Sequence, residues 1–265
     1  MSFYSKDFSD LKVLKDDNVL WIGLDNPKMR NAITDGMIDS IERVFNHANF
    51  DNDIRVAILY GEGKSFCAGG DLRAMEEKSG MFSGESNELR ENYQKGIQRI
   101  PVTIESFQKP IIAMVNGAAI GAGCDIACMC DIRVGSQDSF FGETFAKLGL
   151  VPGDGGTYFL PRVVGYAKAM EMFLTGELIS GDQAKKDGLL NFLYSRQELK
   201  DKTTSLAHKI ASHPPIALQM TKKALKFSKN SDLQAMLDLL GAFQGITQRS
   251  DDHFRALEAF KEKKK

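Results

Sequence analysis

The stretch Asn116 to Asp131, NGAAIGAGCDIACMCD, limits the possible fold more than any other part of the 265-residue chain. It sets a strand end, a small-residue turn and a helix start side by side. The run before it, IIAMV (Ile111 to Val115), is short, apolar and preceded by Pro110, which predicts a buried strand. Small residues dominate from Gly117 to Gly123, so a ligand can approach the backbone without meeting a wall of Cβ atoms. A helix starting near Ala122 aims unpaired N–H groups and its positive dipole end out of the turn, where negative charge is favoured. Asp125 falls in that first turn. It is either a helix-start acid that suits the dipole or an acid/base beside an oxyanion site, and this stretch alone leaves both open.

Composition narrows the classes. With 43% hydrophobic and 26% charged residues the chain is an ordinary globular one, long enough for one main domain with an appended segment. Its 34 basic and 35 acidic residues cancel, so no global field draws it to nucleic acid or an anionic membrane, and any phosphate must be held locally. The opening MSFYSKDFSD has no apolar h-region, no run of about eighteen apolar residues occurs, and the final KKK is not a peroxisomal address. A cytoplasmic location without a membrane partner is the expectation. Cys124, Cys128 and Cys130 cluster and Cys67 stands alone, but no second ligand group accompanies them, so they are expected as small core residues and no metal is assigned. His47, His208, His213 and His253 fall on expected helices or helix ends away from both glycine-rich segments, as surface or packing residues.

Along the chain, LKVL (Leu11 to Leu14), a turn through KDDN and VLWIGLD (Val19 to Asp25) predict a β-hairpin. A helix follows from about Thr34, capped by Thr34 or Asp35, with Met37, Ile38, Ile41, Val44 and Phe45 at helical spacing. RVAILYG (Arg55 to Gly61) is a second buried strand leading into GEGKSFCAGGDL, and the strand–helix–strand order predicts an α/β domain. Residues 76 to 92 are polar and predict a surface loop or lid before a helix around Tyr93 to Phe107. After DIRVG (Asp131 to Gly135), SFFGETF and the turn VPGDGGT, helices dominate, including Ala167 to Leu174, Gln197 to Ser212, IALQMTKKALKF and two starting at Ser231 and Asp251. The change to all-helical sequence near residue 200 predicts a segment that packs on, or swaps onto, something else.

Two loops share one design: a strand, a small-residue turn and a helix start, first at CAGGDL and again at GAGCDI. If the Gly70 and Ala122 amides point at one spot they form a two-donor oxyanion hole, each such donor contributing roughly 3–4 kcal/mol to transition-state stabilisation. The segments SFCAGGDL, KPIIAMVNGAAIGAGCDIACMCDIRV, GLVPGDGGTYFLPRVVG and MEMFLTGELISGDQAKKDGLL, in this order, resemble the crotonase superfamily, the enoyl-CoA hydratase/isomerase family. The likeness runs from NPKMRNA at residue 26 to the end. It implies a crotonase-like ββα spiral over residues 1–195, and a C-terminal helical region over 196–265 that oligomerises and completes the CoA site. It also implies a homotrimer or dimer of trimers, an acyl-CoA thioester as substrate with coenzyme A as part of it, no separate cofactor, and an enolate held by two backbone amides.

Carried over by motif, Gly70 and Ala122 match the oxyanion donors. Lys28, Ala68, Asp71, Leu72 and Arg73 match positions on the CoA path, with Phe145 in the acyl pocket. Phe260 and Lys263 match CoA-contacting positions that a neighbouring subunit often supplies. By itself the KEKKK tail is a solvated charge run. The hydratases of the family carry a Glu at the Asp125 position and a second Glu where this chain has Phe145. Hydration needs one group to activate water and one to deliver a proton, so that replacement weakens a plain hydratase reading. Isomerases of the family can carry a carboxylate where Gly153 stands, one residue before Asp154. Asp125 is therefore assigned as the principal acid/base, with Glu143 or Asp154 as its partner. If SFFGETF is extended, Glu143 and Phe145 project to one side, about 7 Å apart along the strand; if it is helical, Glu143 is a surface acid. Asp154 also reads as a turn residue between two glycines.

The expected function is hydration or double-bond shift on an enoyl-CoA. The alternatives are a catalytically silent acyl-CoA-binding homologue, or another reaction of the fold such as thioester hydrolysis. A dinucleotide fold is disfavoured because Ile126 stands where a third glycine belongs, and no P-loop pattern occurs.

Overall fold

A computed structural model describes residues 3–262. Strands β1 (Leu11–Asp16) and β2 (Val19–Leu24) form the hairpin, closing tightly through Asp17, whose φ of 51° lies in the left-handed region. The chain continues through β3 (Val56–Gly61), β4 (Ile111–Val115), β5 (Ala118–Ile120), β6 (Ile132–Ser136), β7 (Phe140–Gly142), β8 (Ile179–Ser180) and β9 (Phe192–Tyr194). Six of these make one sheet in the order β1-β2-β3-β4-β6-β9, parallel except for the hairpin; the other three make a second sheet, β5-β7-β8. Successive units thus send one strand to each sheet: β4 then β5, a helix, β6 then β7. This is the repeated ββα pattern.

Strand periodicity explains how the large sheet is covered. Leu20, Ile22, Leu24, Leu59, Ala113 and Val115 face one side, packed with the Asp35–Phe50, Arg99–Ser106 and Ala122–Met129 helices. Their neighbours Val19, Trp21, Val56, Ile58, Ile112 and Met114 face the other, where Leu199, Ala207 and Ala211 of the Arg196–Ala211 helix cover them. The 196–265 segment therefore begins inside the main core, and its next helix, Pro215–Phe227, is tied to the main body by Lys222, which donates to the Lys109 carbonyl at 2.7 Å and to the Asp131 carboxylate at 2.6 Å. Thr34, not Asp35, caps the first long helix by accepting from the Met37 amide at 3.1 Å. Among the described residues no helix is long and apolar enough to cross a membrane.

The 76 to 92 region departs from the expected loop. It holds a 3-10 turn, Gly80–Phe82, and a helix, Ser86–Lys95, whose first turn is tied by the Glu88 carboxylate accepting from the Glu85 amide at 2.8 Å. The expected Tyr93 to Phe107 helix is likewise two helices, Ser86–Lys95 and Arg99–Ser106, broken at Gly96 where φ/ψ of −105°/−115° leaves the helical region.

Candidate active site

The two glycine loops meet because the segment after β3 runs along β5. The Phe66 and Cys67 amides both donate to the Ala118 carbonyl, the Ile120 amide donates to the Cys67 carbonyl, and Cys67 pairs with Ala119. This brings the Gly69 backbone against the start of the Ala122–Met129 helix: a Cβ on Gly69 would lie 3.5 Å from the Ala122 nitrogen. The amides that precede them are engaged, Ala68 to the Arg30 carbonyl, Gly69 to Cys67 Sγ and Gly121 to the Gly142 carbonyl. Among the described residues the Gly70 and Ala122 amides donate no hydrogen bond. Two spare donors at adjacent loop tips have the makings of an oxyanion hole.

Asn31 holds this arrangement from behind. It is fully buried, with a left-handed backbone at φ 58°. Its Nδ2 donates to the Glu62, Ser65 and Phe66 carbonyls at 3.0–3.1 Å, and its Oδ1 accepts from the Asn26 amide. Asn31→Ala strands those groups, and a loss of about 1–3 kcal/mol in denaturant unfolding is expected. An unchanged midpoint would show that the loop is held by other contacts.

A cavity of about 600 Å³ is lined by both loops. Gly70 and Ala122 are on its wall, as are Lys28, Ala68 and Phe145. Asp71, Leu72 and Arg73 line it too, although the Asp71 carboxylate is committed to capping the short Leu72–Glu76 helix, accepting from the Arg73 and Ala74 amides. Phe260 sits on the Asp251–Glu262 helix, largely exposed, and does not line this cavity within the single chain. Lys263 lies outside the described residues. Tyr93, Lys147 and Arg30 were not expected and are on the wall. Tyr93 sat at the edge of a region with no helical pattern, and Lys147 in a segment whose conformation was open. The spacing of Lys147 two residues after Phe145 was the one available signal.

The three candidate carboxyls separate by depth. Asp154 is on the cavity wall, whereas Asp125 and Glu143 are not, although all three are buried, at 3%, 0% and 0% exposure. Glu143 follows neither the extended nor the helical expectation for SFFGETF. The strand stops at Gly142, Glu143 takes φ/ψ of −100°/76°, and a 3-10 turn, Thr144–Leu148, starts after it. Glu143 therefore turns into the interior while Phe145 faces the cavity; it is not the surface acid that a helix would make it. The Phe145 ring lies 3.5 Å from where a Cβ on Gly121 would stand.

Asp125 has its place because Gly156 has no side chain. A Cβ at Gly156 would fall inside the Asp125 carboxyl, so the start of the Gly156–Val164 helix presses directly on it. Gly153 is equally constrained: a Cβ there would lie 2.7 Å from the Tyr93 ring. A side chain at position 153 would require Tyr93 to move, and the acid of this turn is the next residue but one after Pro152, Asp154.

With all three groups ionised, none of their six oxygens has a hydrogen-bond donor. Burial pushes the Asp125 carboxyl well above its usual range, and the Asp154 and Glu143 charges push it further. Burial raises Glu143 to about 7 and raises Asp154, in each case against a hydrogen bond from a protonated Asp125. A proton on Asp125 supplies the missing donor.

The sign of the stability effect follows. A carboxyl raised on folding favours the neutral form, so its contribution is complete below the unfolded value and is lost as pH rises through the folded one. Thermal unfolding is expected to show falling stability from pH 4.5 through about 7, with a shallower decline in Glu143→Gln. A decline of equal steepness in the variant would remove Glu143 from this account.

Comparison with known proteins agrees with the fold. The sequence profile of the Enoyl-CoA hydratase/isomerase family matches residues 15–265. The 2,3-dehydroadipyl-CoA hydratase of Escherichia coli (strain K12) is 34% identical over 256 residues, covering 97% of each chain. The peroxisomal Delta(3,5)-Delta(2,4)-dienoyl-CoA isomerase of Arabidopsis thaliana is 33% identical over 256 residues, 94% of this chain and 92% of that protein. The crystal structure of an enoyl-CoA hydratase from Bacillus anthracis superposes with a TM-score of 0.90 at 30% identity, over 96% of this chain and 97% of that one. The chain belongs to the enoyl-CoA hydratase/isomerase family, the crotonase superfamily. Its relatives include both hydratases and isomerases.

Proposed function

We propose that the protein shifts the double bond of an enoyl-CoA thioester, Asp154 carrying a proton between Cα and Cγ while the Gly70 and Ala122 amides hold the enolate oxygen. The observation that carries this reading is the order of the carboxyls: of the three candidates, only Asp154 is on the cavity wall. The cavity wall it shares includes the apolar and aromatic side chains of Phe82, Tyr93, Ile97, Phe145 and Leu150. One carboxyl can take a proton from one carbon and return it to the next. Hydration asks for two groups on the substrate side, one for the water and one for the α-proton. Phe145 occupies the position at which the family's hydratases hold the second acid.

Asp125, the expected principal acid/base, keeps a supporting place in this reading, behind Asp154. Lys28, Arg30, Arg73 and Lys147 put basic side chains on the cavity wall, which suits the phosphates of coenzyme A as part of the substrate. A cytoplasmic setting and a homotrimer or dimer of trimers belong to the same proposal. Leu233, Leu237, Leu240, Phe254 and Leu257 of the last two helices are all more than 40% exposed in the single chain, which supports an assembly that covers them.

Assay of a 3-enoyl-CoA beside crotonyl-CoA separates the reactions. Double-bond shift is expected to exceed hydration, and Phe145→Glu is expected to raise crotonyl-CoA hydration by about 10²-fold. Efficient hydration by the unaltered enzyme would contradict the assignment. Thioester binding with no turnover and no α-proton exchange would leave a binding protein.

A further inference from the structure

The turn that carries Asp154 is built from residues that do not hold a shape by themselves. Gly153, Gly155 and Gly156 surround the acid, and Gly155 takes a left-handed φ of 106°. Holding a carboxyl against a reacting carbon therefore needs contacts from elsewhere in the chain. We propose that Gln98, from outside the cavity, positions Asp154: its side-chain amide holds the Gly153 carbonyl, and with it the peptide unit from which Asp154 starts. The proposal rests on Asp154 being the group that moves the substrate proton.

The Gln98 Nε2 donates to the Gly153 carbonyl at 2.8 Å, across 55 residues of sequence. A carbonyl only accepts, so the NH2 side of the amide must face it. Among the described residues this is the one hydrogen bond that another part of the chain makes to the backbone of residues 151–154. Gln98 stands at the N-cap of the Arg99–Ser106 helix, yet its side chain makes no capping bond there. The residue before it, Ile97, lines the cavity, and Gln98 does not. Its route to the chemistry is the Gly153 carbonyl.

The anchor is firm. Ile100 and Ile104 of that helix are buried in the main core, and Arg99, the residue after Gln98, pairs with Asp39 at 2.7 Å and with Glu42 on the Asp35–Phe50 helix. Pro101, on the same helix, has its Cβ 3.6 Å from where a Cβ on Gly155 would stand, so one helix end borders both glycines that flank Asp154. Tyr93 supplies a further contact, its ring filling the space that a Cβ on Gly153 would need. The Gln98 amide nitrogen donates to the Tyr93 carbonyl at 3.0 Å, which ties the two residues that touch Gly153 to each other.

The two contacts differ in what they fix. Tyr93 restrains the turn by bulk, from the Ser86–Lys95 helix, in which no residue is buried. Gln98 restrains it by direction, because a hydrogen bond to a carbonyl sets how the planar Gly153–Asp154 peptide is turned. Rotation of that plane swings the carboxyl, and a displacement of about 1 Å at a reacting group costs on the order of 10²-fold in rate. Gln98 is a positioning residue in this scheme and touches no substrate. Its loss therefore falls on turnover and leaves the binding wall intact.

Steady-state kinetics of double-bond shift with a 3-enoyl-CoA tests this. Gln98→Met keeps the length of the side chain and loses the donor; Gln98→Glu keeps the shape and, ionised, can only accept. Both are expected to lower kcat by about 10–10²-fold, with KM within about twofold and a melting temperature lower by no more than about 2–4 °C. In an Asp154→Asn background, Gln98→Met is expected to add no further loss, because the group it positions is already gone. An unchanged kcat in both variants, a loss that falls chiefly on KM, or a loss by the same factor with and without Asp154→Asn would overturn the proposal. Failure of the underlying reading has a separate sign: turnover that survives Asp154→Asn with Gln98 in place removes Asp154 as the base, and this proposal with it.

Discussion

Asp154→Asn is expected to lower double-bond shift by about 10²–10⁴-fold with little change in the binding of a CoA thioester. The change is nearly isosteric, so the shape of the cavity is kept, but an amide cannot accept the substrate proton. It also removes one of three uncompensated buried carboxyls, so the melting temperature is not expected to fall. Single-turnover kinetics with a 3-enoyl-CoA, together with a binding titration, separates the two effects. A variant that binds and turns over normally would move the chemistry to another residue, and Asp125 would be the first candidate because it adjoins the same turn.

The second large effect is expected of Ala122→Pro. Ala122 is the first residue of its helix, following Gly121 as cap, and its amide has no intrahelical partner. Proline is tolerated at that position because the missing N–H is one the helix does not use and its fixed φ suits the first turn. The substitution therefore deletes one proposed oxyanion donor at small cost to folding. A fall of about 10²–10³ in kcat is expected, while Ala122→Gly, which keeps the N–H, stays active. Stopped-flow assays on refolded, thermally characterised protein check this. An equal loss in both variants would mean that the Ala122 side chain matters and not its amide.

What the sequence conveyed depended on how far each feature was set by short-range chemistry. Ile111–Val115 and the Ala122–Met129 helix were legible because a short apolar run and a small-residue turn have few alternatives. The same holds for the Asp35–Phe50 helix, with its apolar face and Thr34 cap. The pairing of CAGGDL with GAGCDI was legible as two similar loops, although only β5 shows what brings them together. The helix at Ser86–Lys95 was not, because no residue in it is buried and its capping acid is Glu85, outside the usual Ser, Thr, Asp and Asn signal. The order of the acids was hidden for a different reason. The inward turn of Glu143 comes from a backbone that is neither strand nor helix, and the place of Asp154 on the wall depends on Tyr93 arriving from a distant helix to fill the space beside Gly153. Neither fact has a local signature. The motif that singled out Asp125 carries no signal for which of the three acids faces the cavity, because tertiary packing decides that.

The central claim is that one cavity carboxyl moves a proton from one carbon of the thioester to another. A 3-enoyl-CoA deuterated at Cα and converted in ordinary water tests it most directly. Asp154 is buried on the cavity wall, so part of the label is expected at Cγ of the 2-enoyl product, with both label transfer and turnover lost in Asp154→Asn. Conversion with no label at Cγ, or chiefly to a 3-hydroxyacyl product by an activity that persists in Asp154→Asn, would contradict the account.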